Sequence, residues 1–164
     1  MKKQIIEVLE LIADGGLDQE DILAMAAEVL AAQQDPEAYR ARHAADFYPT
    51  DSAIPLWETV LLEQLEDGLL FKADTVAALY AQISDAFGEG ELDLAAESLT
   101  GLTDISAIKA IQDELSPNFT LVDFSVSSNR QLVLIRTHYL AQFLKLCKEL
   151  NIQAESTFEN LFKK

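Results

Sequence analysis

The apolar residues of this chain change their spacing near Gly68, and no other feature constrains the fold as strongly. Before Gly68 they recur every three or four positions, the period of amphipathic helices. After it, short apolar or β-branched runs alternate with further helical stretches. The sequence therefore predicts an α+β fold that is rich in helix, with a helical N-terminal part followed by a small sheet.

Four helices are predicted in the N-terminal part. The first ends at a pair of glycines, and Asp18 is a good N-cap for the second. Asp35 opens the third, with Pro36 in the first helical position, where its missing N–H costs nothing. Phe47, Tyr48 and Trp57 frame a proline-containing loop before the fourth helix. We expect them to close the core, and the alternative is an exposed anchor, because aromatic residues beside acids are typical of protein-binding surfaces. The predicted helices span residues 3–13, 19–34, 35–46 and 56–67.

The second part mixes strands and helices. Asp74 or Thr75 is expected to cap its first helix, the structure of residues 92–100 is ambiguous, and a Ser-Ser-Asn turn marks a β-hairpin. Ser156 and Glu159 have the spacing of a capping box. The predicted strands are 69–71, 119–125, 131–136 and 152–155, and the predicted helices are 75–87, 104–115 and 139–150. This order is that of a split βαβ arrangement. We expect residues 1–164 to form one domain, with a helical part (1–67) and an α+β part (68–164).

The charge of the chain is strongly negative and unevenly placed. Asp and Glu number 28 against 12 Lys and Arg, a net charge of −16. Residues 1–118 alone carry 24 acids and 6 bases, which is −18. Nucleic acids bind proteins that neutralise their phosphates, so direct nucleic-acid binding is not expected. A surface of one sign attracts partners of the other sign.

The charge favours an acidic protein-interaction module with a basic partner. Such a protein could be an inhibitor or immunity protein for a cationic toxin, or a mimic of DNA phosphates. The candidate partner-binding residues lie in the first two helices and the turn between them: Glu7, Glu10, Asp14, Asp18, Glu20 and Asp21. The sequence leaves association between copies of the chain open.

A second hypothesis is a small-ligand-binding or enzymatic α+β domain. Sites on mixed folds gather at the ends of strands and at element junctions. The candidate ligand residues in such places are Lys72, Asp74, Asp123, Arg136 and His138.

No motif for catalysis, a metal or a cofactor stands out. Neither His43 nor His138 has a metal-ligating neighbour at helical spacing, and Cys147 lies on an apolar helical stripe, where an inert thiol is expected. Residues 85–97 resemble a calcium loop, but Phe87 and Ala96 occupy ligand positions. We therefore expect no metal and no cofactor, and the sequence gives no reason to expect an enzyme.

The sequence also indicates a compartment. Acidic residues interrupt what would be the apolar stretch of a signal peptide, and no apolar run approaches the ~20 residues that span a bilayer. The single cysteine excludes a disulfide framework within the chain. We expect a cytoplasmic protein that does not bind membranes.

Residues 57–153 resemble an uncharacterised bacterial family classed as a domain of unknown function. The resemblance lies in Trp57, the helix end at 65–68, the strand that ends in Lys72 and Asp74, the hairpin strand 132–135, and the helix through Phe143, Leu144 and Leu150. It implies an intracellular bacterial α+β domain. Since that family has no established activity, the resemblance supplies no catalytic residue.

Overall fold

A computed structural model describes residues 1–88, 92–115, 117–124 and 130–157, with the backbone alone at 96, 104 and 130. The chain divides into two compact units, Met1–Asp67 and Gly68–Lys164. This division coincides with the predicted change from the helical part to the α+β part. That the whole chain is one domain stays a prediction.

The first unit is helical throughout its regular structure. Asp18 caps the second helix as predicted, because its carboxylate accepts a hydrogen bond from the backbone N–H of Asp21 (2.9 Å). Asp35 caps the third in the same way, on Ala38 (3.0 Å). A short 3₁₀ turn at Ala44–Asp46 follows the third helix. The helices are α1 (Lys2–Ala13), α2 (Gln19–Gln34), α3 (Pro36–Arg42) and α4 (Leu56–Leu65).

The core of the first unit lies where α2 packs against α1 and α4. Fully buried side chains come from all three helices: Val8 and Leu9, Ala26 and Val29, Val60, Leu61 and Leu65. The expectation that Phe47 closes the core is wrong, because its side chain is 87% exposed. Its neighbour Tyr48 and Trp57 are half-buried.

The second unit contains a four-stranded sheet in the order β1-β3-β2-β4, in which every neighbouring pair is antiparallel. Because β3 separates β1 from β2, those two strands are parallel, and β2 separates the parallel pair β3 and β4 in the same way. These are split βαβ connections, and the helix-rich α+β class is confirmed. The strands are β1 (Phe71–Ala73), β2 (Phe119–Phe124), β3 (Arg130–Arg136) and β4 (Ala154–Ser156), and the helices are α5 (Val76–Phe87), α6 (Asp104–Leu115) and α7 (Leu140–Glu149).

Helices cover both faces of this sheet. Leu121 and Leu132 join the core formed with α5 and α6, whereas Phe124, on the other face, contacts Phe143 of α7 with ring centroids 6.4 Å apart. The connection from β1 to β2 and the connection from β3 to β4 each pass over one strand, in the same direction along the sheet. The strands from which they start, β1 and β3, are antiparallel. Right-handed connections then require helices on opposite faces, as observed.

Two glutamine side chains complete the hydrogen bonding of the strands. The Gln82 amide of α5 binds both backbone groups of Lys72 on the outer edge of β1, at 3.1 and 2.8 Å. The Gln112 amide of α6 accepts from the N–H of Leu121 and donates to the carbonyl of Phe119, both at 2.9 Å. β4 pairs only with residues 122–124 of β2. At residues 119–121 of the same edge, the Gln112 amide binds the backbone groups that a neighbouring strand would otherwise bind.

Two sequence predictions fall partly on residues outside the described ranges. The turn predicted between the hairpin strands includes 126–129, and the capping box requires Glu159. Residues 92–100, which the sequence left ambiguous, contain a 3₁₀ turn at Ala96–Leu99. Thr75, one of the two candidate caps, caps α5 by accepting from the N–H of Ala78 (3.2 Å).

Candidate functional site

The six candidate partner-binding carboxylates lie around one end of the α1–α2 hairpin, here called the acidic end (Glu7, Glu10, Asp14, Asp18, Glu20 and Asp21). Five of them are exposed and Glu7 is half-buried. The spacing of three and seven residues places Glu7, Glu10 and Asp14 on one side of α1. Asp14 ends that helix in the left-handed region (φ 49°), and Asp18 begins the next.

The residues between Lys3 and Arg40 supply no cation to this end. Residues 4–39 contain nine carboxylates and no Lys, Arg or His. Within the described parts of the chain, the carboxylates of Glu10, Glu20 and Asp21 form no ion pair. Farther along the stretch, Glu37 pairs with Arg40 (2.7 Å) and Glu28 lies 3.9 Å from His43. At Glu10, Glu20 and Asp21 the acidic end therefore presents uncompensated negative charge to the solvent.

A cluster of tyrosines and carboxylates lies beyond the acidic end, and the sequence analysis did not identify it. The Tyr39 hydroxyl donates to Glu28 (3.0 Å), and the Tyr48 hydroxyl donates to Glu63 (2.5 Å). The His43 ring stacks on Tyr39, with centroids 4.3 Å apart. The spacing of four residues between Tyr39 and His43 was the one available signal, because side chains so spaced meet on a helix.

Burial, and then the neighbouring carboxylates, raise the pKa of both tyrosines. Burial, reinforced by the Glu28 carboxylate, raises the pKa of Tyr39 to about 12 from its usual value of 10. Burial and Glu63 raise the pKa of Tyr48 further. A phenol with a raised pKa is a poor nucleophile and a poor general base at neutral pH. The cluster therefore acts as a set of hydrogen bonds that holds α2, α3 and α4 to the loop between α3 and α4.

Replacing Tyr39 by phenylalanine is expected to reduce the free energy of unfolding of the first unit by about 1 kcal/mol, because the bond to Glu28 is lost. Tyr39 has a higher pKa folded than unfolded, so its contribution is complete below pH 10 and is lost as the pH rises towards 12. Urea titrations at pH 8 and pH 11 measure both effects. The control is Tyr139→Phe, at an exposed position. An unchanged stability at pH 8 would show that the Tyr39–Glu28 bond contributes nothing.

The five candidate ligand residues do not form one cluster. Lys72 is opposite Gln131 at the beginning of β3, whereas Arg136 is at its end, five residues and about 17 Å away. Asp123 is opposite Leu132, and is thus on the other face of the sheet from Lys72. Asp74 is exposed beyond β1, and His138 is in the turn that follows β3.

Cys147, His138 and Arg136 each pack against other parts of the second unit. Cys147 is buried on α7 at 1% exposure, as predicted for an inert thiol. His138 packs on Tyr139, with centroids 4.0 Å apart, and the Arg136 guanidinium lies over the Phe119 ring at 5.1 Å. Among the described residues, His, Cys, Asp and Glu form no group of three that could hold a metal ion.

Comparison with known proteins adds no relative. No protein-family model, curated protein or solved structure matches the chain. The resemblance of residues 57–153 to a domain of unknown function therefore stays a prediction. Within the described residues, no helix is both long enough and apolar enough to cross a membrane.

Proposed function

We propose that the protein is an acidic interaction module whose acidic end binds a basic partner protein. Inhibitors and immunity proteins of cationic toxins and mimics of DNA phosphates belong to this class. One observation carries the proposal: a stretch of 36 residues (4–39) contains nine carboxylates and no base, and the α1–α2 hairpin gathers six of them at one end. Like charges held close together weaken a fold, and binding a cationic surface relieves that repulsion.

Electrostatics of this kind act mainly on the rate of association. Clustered charge of one sign accelerates encounter with an oppositely charged protein, and the acceleration falls steeply with ionic strength. Nucleic acid, which carries the same sign as the acidic end, is not a proposed partner. We place the function in the cytoplasm, since the chain has a single cysteine, which is buried, and the fold needs no oxidising compartment.

The test is capture from a lysate of the native host at low salt, followed by a high-salt wash and mass spectrometry of the eluted proteins. We expect one basic protein that high salt removes. The variant Glu10→Gln/Glu20→Gln/Asp21→Asn should reduce its recovery about tenfold. The control Asp85→Asn/Asp93→Asn/Glu97→Gln removes three exposed carboxylates from the second unit and should leave recovery unchanged.

Two results would reject the proposal. Recovery of no basic protein would show that the charge serves solubility alone. Equal loss of binding in both triple variants would show that net charge is recognised without a defined surface. The five candidate ligand residues support no second function, because they do not form one cluster.

A further inference from the structure

Phe47 is the most exposed large apolar side chain of the described residues. It is 87% exposed, whereas the next, Leu102, is 46% exposed. Its backbone has φ 51°, in the left-handed region that aromatic residues rarely adopt. The chain therefore holds an aromatic ring in water in a conformation that costs free energy.

The backbone on both sides of Phe47 is fixed. The Asp46 N–H donates to the His43 carbonyl (3.0 Å), and the Asp46 carboxylate lies 3.4 Å from the His43 ring. On the other side, Tyr48 donates to Glu63, and the Pro49 carbonyl accepts from the Arg40 guanidinium (3.4 Å). A side chain that projects from a fixed backbone loses little entropy when it binds, which favours its use as an anchor.

The surroundings of Phe47 carry the same charge as the acidic end. Residues 35–71 contain eight carboxylates and two bases, Arg40 and Arg42, of which Arg40 pairs with Glu37. On α2, Asp21 and Glu28 are seven residues apart, which places them on the same side of the helix about 10 Å apart. Glu28 contacts Tyr39 and His43, and His43 contacts Asp46. Contacts through Glu28 and His43 thus lead from α2 towards Phe47 within a region of net negative charge.

We propose that Phe47 is the apolar anchor of the interface with the basic partner and inserts into an apolar pocket rimmed by Lys or Arg side chains of that protein. This inference rests on the proposed function, whose charged surface it extends. Large aromatic side chains in partner pockets dominate many interfaces, with charged residues around them. A standard interface of about 800 Å² on each partner is wide enough to include both Phe47 and the nearer residues of the acidic end.

Photo-crosslinking in a lysate of the native host tests the proposal. The full chain carries p-benzoylphenylalanine in place of Phe47 or, as the matched control, in place of the exposed Leu102 of the second unit. The Phe47 probe should crosslink the same basic protein that the acidic end captures, and high salt should abolish the crosslink. With that protein purified, Phe47→Ala should weaken binding at least about 30-fold, the loss typical of an anchor residue. Leu102→Ala should leave the affinity unchanged.

The outcomes separate the two proposals. Capture of a basic protein by the acidic end without a crosslink at position 47, or with equal affinity for the Phe47→Ala variant, overturns the anchor and leaves the proposed function standing. A crosslink to a second copy of the chain or to an acidic protein overturns the assignment of the partner. If neither capture nor crosslink occurs, both proposals fail. Equal thermal melting of the variants and the wild-type protein excludes unfolding as the cause of a loss.

Discussion

Replacing Gln112 by leucine is expected to lower the free energy of unfolding of the second unit by about 3 kcal/mol. The Gln112 amide is the hydrogen-bond partner of the Leu121 N–H and the Phe119 carbonyl, and only 6% of its surface is exposed. Leucine has a similar size but leaves a backbone donor and acceptor without this partner, and each such loss costs about 1–3 kcal/mol in a buried place. Urea denaturation followed by hydrogen exchange of peptides from the second unit measures the change.

The matched control is Gln82→Leu. Gln82 makes the same two-point contact, with Lys72, but it lies on the exposed edge of β1. Water can satisfy both backbone groups after the substitution, so a loss below about 1 kcal/mol is expected. Similar losses at the two positions would contradict the argument, because the contacts match and only their burial differs.

Replacing Glu58 by leucine is expected to stabilise the first unit by about 2 kcal/mol at pH 7. Glu58 is only 4% exposed, and among the described residues its carboxylate has no hydrogen bond or ion pair. It shares a side of α4 with Leu61, Leu62 and Leu65. A carboxylate that is largely removed from water and has no partner is unfavourable, although its oxygens keep some contact with solvent, and an apolar side chain of similar volume removes the penalty. Urea titration followed by the fluorescence of Trp57, the only tryptophan, reports on this unit.

The same variant should change the pH dependence of stability. Burial raises the pKa of Glu58 above 4.5, so the folded protein takes up this proton at a higher pH than the unfolded chain. Stability contributed by Glu58 is therefore complete below pH 4.5 and is lost as the pH rises through the folded-state pKa. The Glu58→Leu variant should lack this loss.

The control for this position is Glu20→Leu, which also removes a carboxylate from the first turn of a helix, at an exposed site. It should weaken the helix-dipole interaction by about 0.5 kcal/mol and keep the wild-type pH dependence. Destabilisation by Glu58→Leu would show that the carboxylate contributes favourably to the fold.

The helices, their caps and the hairpin of β2 and β3 could be predicted because they depend on neighbours in the sequence. Asp18, Asp35 and Thr75 each bind a backbone N–H three residues ahead, and the apolar period identifies the helices themselves. The bounds of the short strands differ from the predicted ones: β1 spans 71–73, whereas the sequence predicts 69–71. Three residues carry too little periodic information to fix their ends.

The remaining features depend on contacts distant in the sequence. Phenylalanine is usually buried and glutamate is usually exposed. In this structure Phe47 is exposed and Glu58 is buried. Tyr48 is turned towards Glu63, fifteen residues away, which leaves its neighbour Phe47 outside. Glu58 is in the first turn of a helix, a favourable place for an acid, yet it is buried among the apolar residues of α4. The position of the acidic end could be predicted because its six carboxylates are close together in the sequence, within residues 7–21.

The Gln112 contact also bears on the order in which the second unit assembles. Only nine residues separate Gln112 from Leu121, and the loop between α6 and β2 is short. Pairing of β1 with β3 joins Phe71 to Leu132, which closes a loop of about sixty residues and loses more entropy. Contacts near in sequence form faster. The hairpin contact between Asp123 and Leu132 spans the same nine residues, so we infer that α6, β2 and β3 meet first and act as the template to which β1 is added.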